Sequence, residues 1–165
     1  MCRSDPSSST AIGYYYITDK DRPEDIVRSL VRQISGWHRV IPEALANLYD
    51  QYRKDRQFPT TGRLFGSIPH IVEGFQEGYV VLDALDECTD RKAILDLVEG
   101  IVGWKLENLR VLVSSRNEHD IGCRLEHLIS DSIDIQSHSG EDIEIYLHRT
   151  FETDNRTLLE GANGM

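Results

Sequence analysis

The chain has 165 residues, 28 of them acidic and 18 basic, which gives a net charge of −10 and a pI near 5.0. With 39% hydrophobic and 28% charged residues, the composition is typical of one soluble, folded domain. The acidic balance argues against nucleic acid as a partner, because phosphate backbones require a basic surface. No apolar run approaches the length of a membrane span, and we expect no secretory signal in the polar residues 1–10. Three scattered cysteines, Cys2, Cys88 and Cys123, fit neither a disulfide framework nor a zinc site, and we expect reduced thiols in a cytoplasmic protein.

The first half of the chain predicts one strand followed by three helices. Residues 11–17 form an apolar and aromatic run of strand length, whose tyrosines at 14–16 fit a sheet core better than a platform for stacking bases. Pro23 stands in the first turn of a helix, where its missing N–H is harmless. Apolar stripes at helical spacing follow at residues 26–37, 45–52 and 64–75. We expect Pro69 to kink or split the third helix.

The second half alternates strands with helices. Residues 79–83 are a continuous apolar run ending on an acid, which predicts a strand buried on both faces. Next come a helix at 93–102, a strand at 109–114, a short helix at 121–129, a weak strand at 132–135 and a helix at 143–151 that begins after Ser139. This alternation predicts an α/β fold with a parallel sheet flanked by helices. We assign residues 1–10 to a polar segment, 11–153 to the domain and 154–165 to an unpatterned tail.

Acidic residues follow the apolar strand at 79–83. Asp83 stands at its carboxyl end, the edge where parallel sheets bind ligands, and a carboxylate there can hold Mg²⁺. Asp86 and Glu87 follow within one turn, close enough to orient a water for attack on a phosphate. On the alternative interpretation, these acids only stabilise the N-terminus of a helix that begins near Asp90.

Two hydroxyls and a guanidinium follow the next strand, in the run Ser114-Ser115-Arg116. The planar fork of arginine suits a phosphate, although an isolated arginine after a strand is commonly only solvated. Because this run and Asp83 both follow strands of the predicted sheet, the phosphate interpretation gains support, and the solvated one stays open.

Together these segments resemble a NACHT domain of the STAND class of P-loop nucleotide switches, in the form found in fungal NOD-like receptors and often labelled nephrocystin-like N-terminal. The resemblance runs from about residue 11 to about residue 147. Residues 80–88, VVLDALDEC, are similar to the Walker B signature of that family, and residues 112–116, LVSSR, are similar to its sensor strand, which usually reads Thr-Ser-Arg. Residues 24–34 resemble the helix after the second strand, and residues 141–143 the start of a closing helix.

The resemblance implies a P-loop NTPase-like parallel sheet with Mg²⁺ and ATP or GTP as cofactors. Asp83 would bind Mg²⁺, Asp86 would polarise the attacking water and Glu87 would assist it. Ser115 and Arg116 would contact the nucleotide, with Arg116 sensing the γ-phosphate. The implied partners are proteins, through self-association or through flanking effector and repeat domains, with neither nucleic acid nor a membrane among them.

The chain departs from the family pattern in its phosphate-binding loop. It contains no Gly-x-x-x-x-Gly-Lys-Ser/Thr and no Gly-Lys pair, so the backbone cradle and the lysine for the phosphates are absent. In the family this loop precedes the tyrosine-rich strand and follows a first strand in the middle of the sheet. We therefore expect that strand to be missing, as in a fragment, a truncated gene model or a degenerate paralogue, which would leave an apolar slot or an exposed strand edge that favours association.

Three hypotheses of function follow from these features. The first is a partial NACHT-type nucleotide-binding module of a STAND signalling switch, with little or no NTPase activity alone. The second is a non-catalytic protein-interaction domain that retains the fold. The third is a Mg²⁺-dependent phosphohydrolase that works without a P-loop.

Overall fold

A computed structural model describes residues 10–53 and 56–134 of the chain. In chain order the elements are β1 (Thr10–Tyr16), α1 (Pro23–Gly36), α2 (Glu43–Arg53), α3 (Thr61–Val72), β2 (Glu77–Asp83), α4 (Arg91–Val102), β3 (Leu109–Val113) and α5 (His119–Leu125). A single 3₁₀ turn, Leu85–Glu87, separates β2 from α4. The structure is thus a mixed α/β fold whose parallel sheet is flanked by helices, of the P-loop-like kind, and the predicted fold class is confirmed.

The sheet of the described residues has three parallel strands in the order β1-β2-β3. The register places Tyr14 beside Val81 and Val81 beside Leu112. Because the strands advance in one direction across the sheet, right-handed crossovers place the intervening helices on the same face. Within the described residues, this topology produces one face that helices cover and one face, called the open face below, that they do not cover.

Helices α1 and α3 pack closely on the covered face, at two glycines of the strands. A Cβ atom at Gly13 would lie 3.0 Å from the Leu30 side chain of α1, and one at Gly78 would lie 3.0 Å from the Val72 side chain of α3. Helix α4 contacts α1 and contributes its own buried stripe to the same core. Fully buried members of this core are Ala11, Ile26, Leu30, Ile34, Ile68, Ile71, Val80, Leu82, Ile94 and Ile101.

The outer edge of β1 is occupied by side chains of α1 and of the residue after it. The Tyr14 amide donates to Gln33 Oε1 at 3.1 Å, and Gln33 Nε2 donates to the Tyr14 carbonyl at 2.7 Å. The indole nitrogen of Trp37 donates to the Ile12 carbonyl at 2.9 Å. These side chains take the place of a further strand, which protects an edge that would otherwise invite pairing.

The open face of the sheet corrects two predictions. Tyr14 and Tyr16 are 66% and 60% exposed on this face, so they do not belong to the sheet core. Strand β2 alternates between buried residues on the covered face and half-buried residues on the open one, so it is not buried on both faces. Tyr15 points to the covered side and donates its hydroxyl to Asp21 at 2.8 Å. The apolar run in β2 therefore predicts a strand correctly, but it predicts more burial of the open face than the structure shows.

Helices α2 and α3 agree with the predicted periodicity, and the structure excludes one of the two expected effects of Pro69, a split helix. Pro69 lies inside α3, which continues to Val72, so the helix is not split. The proline is three residues from the end of the helix and removes only one backbone hydrogen bond. Helix α2 has no buried residue, and a groove of about 380 Å³, lined by both apolar and polar residues, lies between it and α3.

Two arginines attach α5 to α4. Arg91 contacts Glu118 and Asp120 at 3.2 and 3.0 Å, and Arg124 contacts Glu99 at 2.8 Å. The hydrogen bond that Arg124 donates to Glu99 is the main cause that raises the pKa of Arg124, and the same bond lowers the pKa of Glu99. These ion pairs hold the segment that follows β3.

Residues 129–134 belong to a second structural unit of the chain, which begins at Ile129. They contain neither helix nor strand, so the strand predicted at 132–135 is wrong for the described residues Ser132–Asp134. Serine and aspartate are poor strand formers, which explains the error. Helix α5 also ends at Leu125, before the predicted residue 129. The polar residues 1–9, the predicted helix at 143–151 and the tail lie outside the described residues.

None of the helices in the described ranges is long and apolar enough to span a bilayer.

Candidate functional site

The carboxyl end of β2 is joined to the end of β3 through Ser114. The Ser114 hydroxyl donates to Asp83 Oδ1 and accepts the Ala84 amide at 3.1 Å. Its backbone amide donates to the Leu82 carbonyl at 3.0 Å, and its carbonyl accepts the Leu85 amide at 3.0 Å. One serine thus fixes both the Asp83 carboxylate and the backbone that leaves the strand.

Ala84 adopts a left-handed backbone conformation, with φ 62° and ψ 51°. This region is uncommon for a residue with a Cβ, and such residues concentrate at functional sites held by their surroundings. Here the Ala84 amide is held by Ser114, and the 3₁₀ turn begins at once with Leu85. The left-handed residue turns the chain so that Asp86 and Glu87 lie beside the segment that follows β3.

Arg116 contacts both acids of the 3₁₀ turn. Its amide donates to Asp86 Oδ1 at 2.9 Å, its Nε lies 3.4 Å from Asp86 Oδ2, and its Nη2 lies 3.3 Å from Glu87 Oε1. The Asp86 side chain is only 8% exposed, whereas the Arg116 side chain is 76% exposed. Asp86 is therefore a fixed anchor, and the guanidinium lies over it from the solvent side.

These side chains form a group that we call the strand-end cluster: Asp83, Asp86, Glu87, Ser114 and Arg116. The cluster carries three carboxylates and one guanidinium. Within the described ranges no cation lies within ion-pair distance of Asp83, whose contact is the Ser114 hydroxyl. The cluster therefore keeps a net negative charge after its internal ion pairs, and both the Asp83 carboxylate, which lies outside those pairs, and the Ser114 hydroxyl are exposed to solvent.

The structure separates the strand-end cluster from the N-terminus of α4. The cap of that helix is Asp90, whose carboxylate accepts the Ala93 amide at 3.2 Å. Asp83 instead contacts Ser114, and Asp86 and Glu87 contact Arg116. The capping interpretation thus describes Asp90, and the acids before it have different contacts.

Of the predicted site residues, four come together and one does not. Asp83, Asp86, Glu87 and Arg116 join the strand-end cluster, whereas the Ser115 hydroxyl donates to the carbonyl of its own neighbour, Arg116, at 2.8 Å. The hydroxyl that reaches the cluster belongs to Ser114. Ser114 reaches the cluster because its amide donates to the Leu82 carbonyl, which extends the pairing of β3 with β2 by one residue.

The donor set of the cluster fits Mg²⁺ as it is bound with a phosphate ligand. Mg²⁺ prefers hard oxygen ligands, keeps several waters and uses one or two carboxylates together with phosphate oxygens. Asp83 and Ser114 offer a carboxylate and a hydroxyl of this kind. No group of three or more His, Cys, Asp or Glu side chains within residues 10–53 and 56–134 is arranged to hold a metal ion by itself. The oxygens present therefore suit an ion that arrives with its own ligands.

A second polar group closes the carboxyl end of β1, next to this edge of the sheet. Asp21 accepts the hydroxyl of Tyr15 at 2.8 Å and both the amide and hydroxyl of Thr18 at 2.7 Å. Burial and the bond to Asp21 raise the pKa of Tyr15 to about 12. Burial opposes ionisation of Asp21, but the bonds from Thr18 and Tyr15 outweigh it and lower the pKa of that carboxyl. These residues stabilise the turn after β1.

The fold and the strand-end cluster together define a class of protein. It is a P-loop-like α/β protein with acidic and basic groups at the carboxyl edge of its parallel sheet. The chain belongs to the family described as Nephrocystin 3, N-terminal, whose model matches residues 2–116. The matched region ends at Arg116 and thus includes every member of the strand-end cluster. No curated protein and no solved structure matches the chain.

Proposed function

We propose that this chain supplies the Mg²⁺ and γ-phosphate side of a NACHT-type nucleotide-binding module, as part of a STAND-class signalling switch. The observation that supports this proposal most is the strand-end cluster. It brings Asp83, Asp86, Glu87 and Arg116 to the carboxyl edge of neighbouring parallel strands, where open α/β sheets bind their ligands.

Each residue of the cluster has a role in this proposal. Asp83 and the Ser114 hydroxyl would hold Mg²⁺, which when bound neutralises phosphate charge. Asp86, fixed by the Arg116 amide, would orient the attacking water, and Glu87 would assist it. Arg116 is exposed and forked, so its guanidinium can exchange a carboxylate partner for a phosphate. Because the chain lacks the Gly-Lys loop that cradles the phosphates, we expect nucleotide hydrolysis near the background rate.

A second candidate is a non-catalytic interaction domain that retains the fold. The observation that favours it is the ion pairing of Arg116 with Asp86 and Glu87, which leaves both acids engaged within the protein. In this case the cluster only joins the end of β3 to the 3₁₀ turn, and the domain acts through its surface.

Thermal unfolding with and without Mg²⁺-ATP, and likewise with Mg²⁺-GTP, distinguishes the two candidates. A ligand at 100 times its Kd stabilises the native state by about 2.7 kcal/mol. For a chain of this size that corresponds to a rise in Tm of roughly 5–10 °C. The proposal expects such a rise in the native chain, none in Asp83→Asn, and an undiminished rise in the control Asp50→Asn, which removes an exposed charge on α2.

A second set of results would contradict the proposal. If the native chain unfolds cooperatively at the same Tm with and without either nucleotide, and Arg116→Gln lowers that Tm, the cluster is a structural contact. The interaction-domain candidate then replaces the nucleotide-binding one.

A further inference from the structure

The open face of the sheet is a continuous apolar surface. The register places Ile12 beside Tyr79 and Tyr16 beside Asp83, and it places Val81 between Tyr14 and Leu112. Successive residues of a strand alternate between faces, so these side chains share one face. Tyr14, Tyr16 and Leu112 are 60–66% exposed, and Ile12 is 42% exposed. Contiguous exposed apolar residues of this kind mark interaction surfaces.

The geometry of this face matches one α-helix. Strands of five to seven residues span roughly 20 Å, and three strands at about 4.8 Å spacing place the outer two about 10 Å apart. A helix is about 10 Å in diameter, and about 14 residues of it span 20 Å. Parallel sheets are covered by helices on both faces, and here α1 and α3 cover the opposite one.

The charges on the open face indicate which kind of helix fits. Glu77 stands at the amino end of β2 and Asp83 at its carboxyl end, and both are exposed. Among the residues of the three described strands, the one cation on this face is Arg110 of β3. Two copies of this surface would bring carboxylates together in a chain whose net charge is −10, which disfavours a second copy as the occupant.

We infer that the open sheet face, formed by Ile12, Tyr14, Tyr16, Val81 and Leu112, binds an amphipathic helix of a partner protein. The helix has an apolar stripe about 14 residues long, with basic side chains that reach Glu77 and Asp83. The apolar stripe supplies affinity by covering exposed side chains, and the basic flanks select against acidic helices. This surface excludes the ion pairs of Arg116 with Asp86 and Glu87 and shares only Asp83 with the strand-end cluster.

Two synthetic 14-residue helical peptides test the inference with the full chain. Both carry leucines spaced three and four apart, one with lysines on its flanks and the other with glutamates at the same positions. Binding is measured by fluorescence anisotropy of the labelled peptide at 0.1 M salt. We expect the lysine peptide to bind at least tenfold more tightly than the glutamate peptide.

Two variants locate the binding. Tyr14→Ser with Leu112→Ser should weaken binding of the lysine peptide at least tenfold with little change in Tm, since both side chains are exposed. The matched control is Tyr49→Ser with Phe58→Ser, which removes two exposed aromatic side chains elsewhere and should leave binding unchanged.

Four outcomes would overturn the inference. Equal binding of the lysine peptide to the native chain and to the face variant would show nonspecific attraction to an acidic protein. Equal binding of the two peptides would show that Glu77 and Asp83 do not select a basic helix. A large fall in Tm of the face variant would show that the same chain already covers this face. Self-association that the face variant abolishes would make a second copy the occupant.

Discussion

Replacement of Gln33 by alanine tests whether one side chain holds the edge of the sheet. The amide of Gln33 makes two hydrogen bonds with the backbone of Tyr14, at 3.1 and 2.7 Å, on the outer edge of β1. A hydrogen bond contributes about 0.5–1.5 kcal/mol net, and water can replace part of it at an exposed edge. Alanine also has a slightly higher helix propensity than glutamine, which offsets a few tenths of a kcal/mol. We therefore expect Gln33→Ala to lower the free energy of unfolding by about 1 kcal/mol.

The measurement is urea unfolding followed by circular dichroism, together with hydrogen exchange of the Tyr14 amide. Gln51→Ala is the matched control, because Gln51 is an exposed glutamine on α2, away from the sheet edge. Ser29→Ala is a second control, which removes only the 3.0 Å bond that the Ser29 hydroxyl accepts from Gln33 Nε2. Should Gln33→Ala match Gln51→Ala in stability, with unchanged exchange at Tyr14, the amide does not hold the strand edge and the reasoning is refuted.

Four further predictions concern backbone strain, pH dependence and packing. Ala84→Gly should raise the free energy of unfolding, measured in urea, by about 0.5–1 kcal/mol. Glycine removes the cost of about 1–2 kcal/mol that a residue with a Cβ pays in the left-handed conformation, and this gain exceeds the added entropy of the unfolded chain. A lower free energy of unfolding would show that Ala84 is not strained. The lowered pKa of Asp21 contributes stability that is present above pH ~3.9 and is lost as pH falls through the folded value, so Asp21→Asn should flatten the acid limb of Tm against pH. Tyr15, with its pKa raised to about 12, contributes stability that is complete below pH ~10 and lost toward pH 12, and Tyr15→Phe should remove that alkaline loss. Leu82→Ala, at a fully buried position, should cost about 2–5 kcal/mol, whereas Leu112→Ala on the open face should cost less than about 1 kcal/mol; similar losses by urea unfolding would show that both faces are covered.

Hydrophobic periodicity predicts most of the helices and strands, because it reflects the local geometry of the chain. It does not determine which face of a strand is covered. Tyr14 and Tyr16 follow the pattern of a core strand, yet they lie on the face that α1 and α3 do not reach. That outcome depends on crossovers that advance in one direction, which is a property of the whole topology and not of any window of sequence.

The acidic and basic residues of the site are predictable for a related reason. Asp83 and Arg116 come together because neighbouring parallel strands end at the same edge of the sheet. The choice between Ser114 and Ser115 is not predictable, since it depends on how far the ladder with β2 continues past Val113. The left-handed backbone of Ala84 is equally hidden, because alanine gives no local signal for a positive φ.

Asp83 belongs both to the strand-end cluster and to the open face, where it lies beside Tyr16. A lysine of a bound helix and a divalent cation would therefore compete for the same carboxylate. If both proposals hold, Mg²⁺ should weaken binding of the lysine peptide more than Na⁺ does at equal ionic strength, and Asp83→Asn should abolish that difference. Equal effects of the two salts, with peptide binding still lost in the Tyr14 and Leu112 variant, would retain the helix-binding face and exclude Asp83 as a shared ligand. Competition is expected only if one carboxylate serves both surfaces, so the salt comparison tests the two proposals together, while the nucleotide and peptide experiments test each alone.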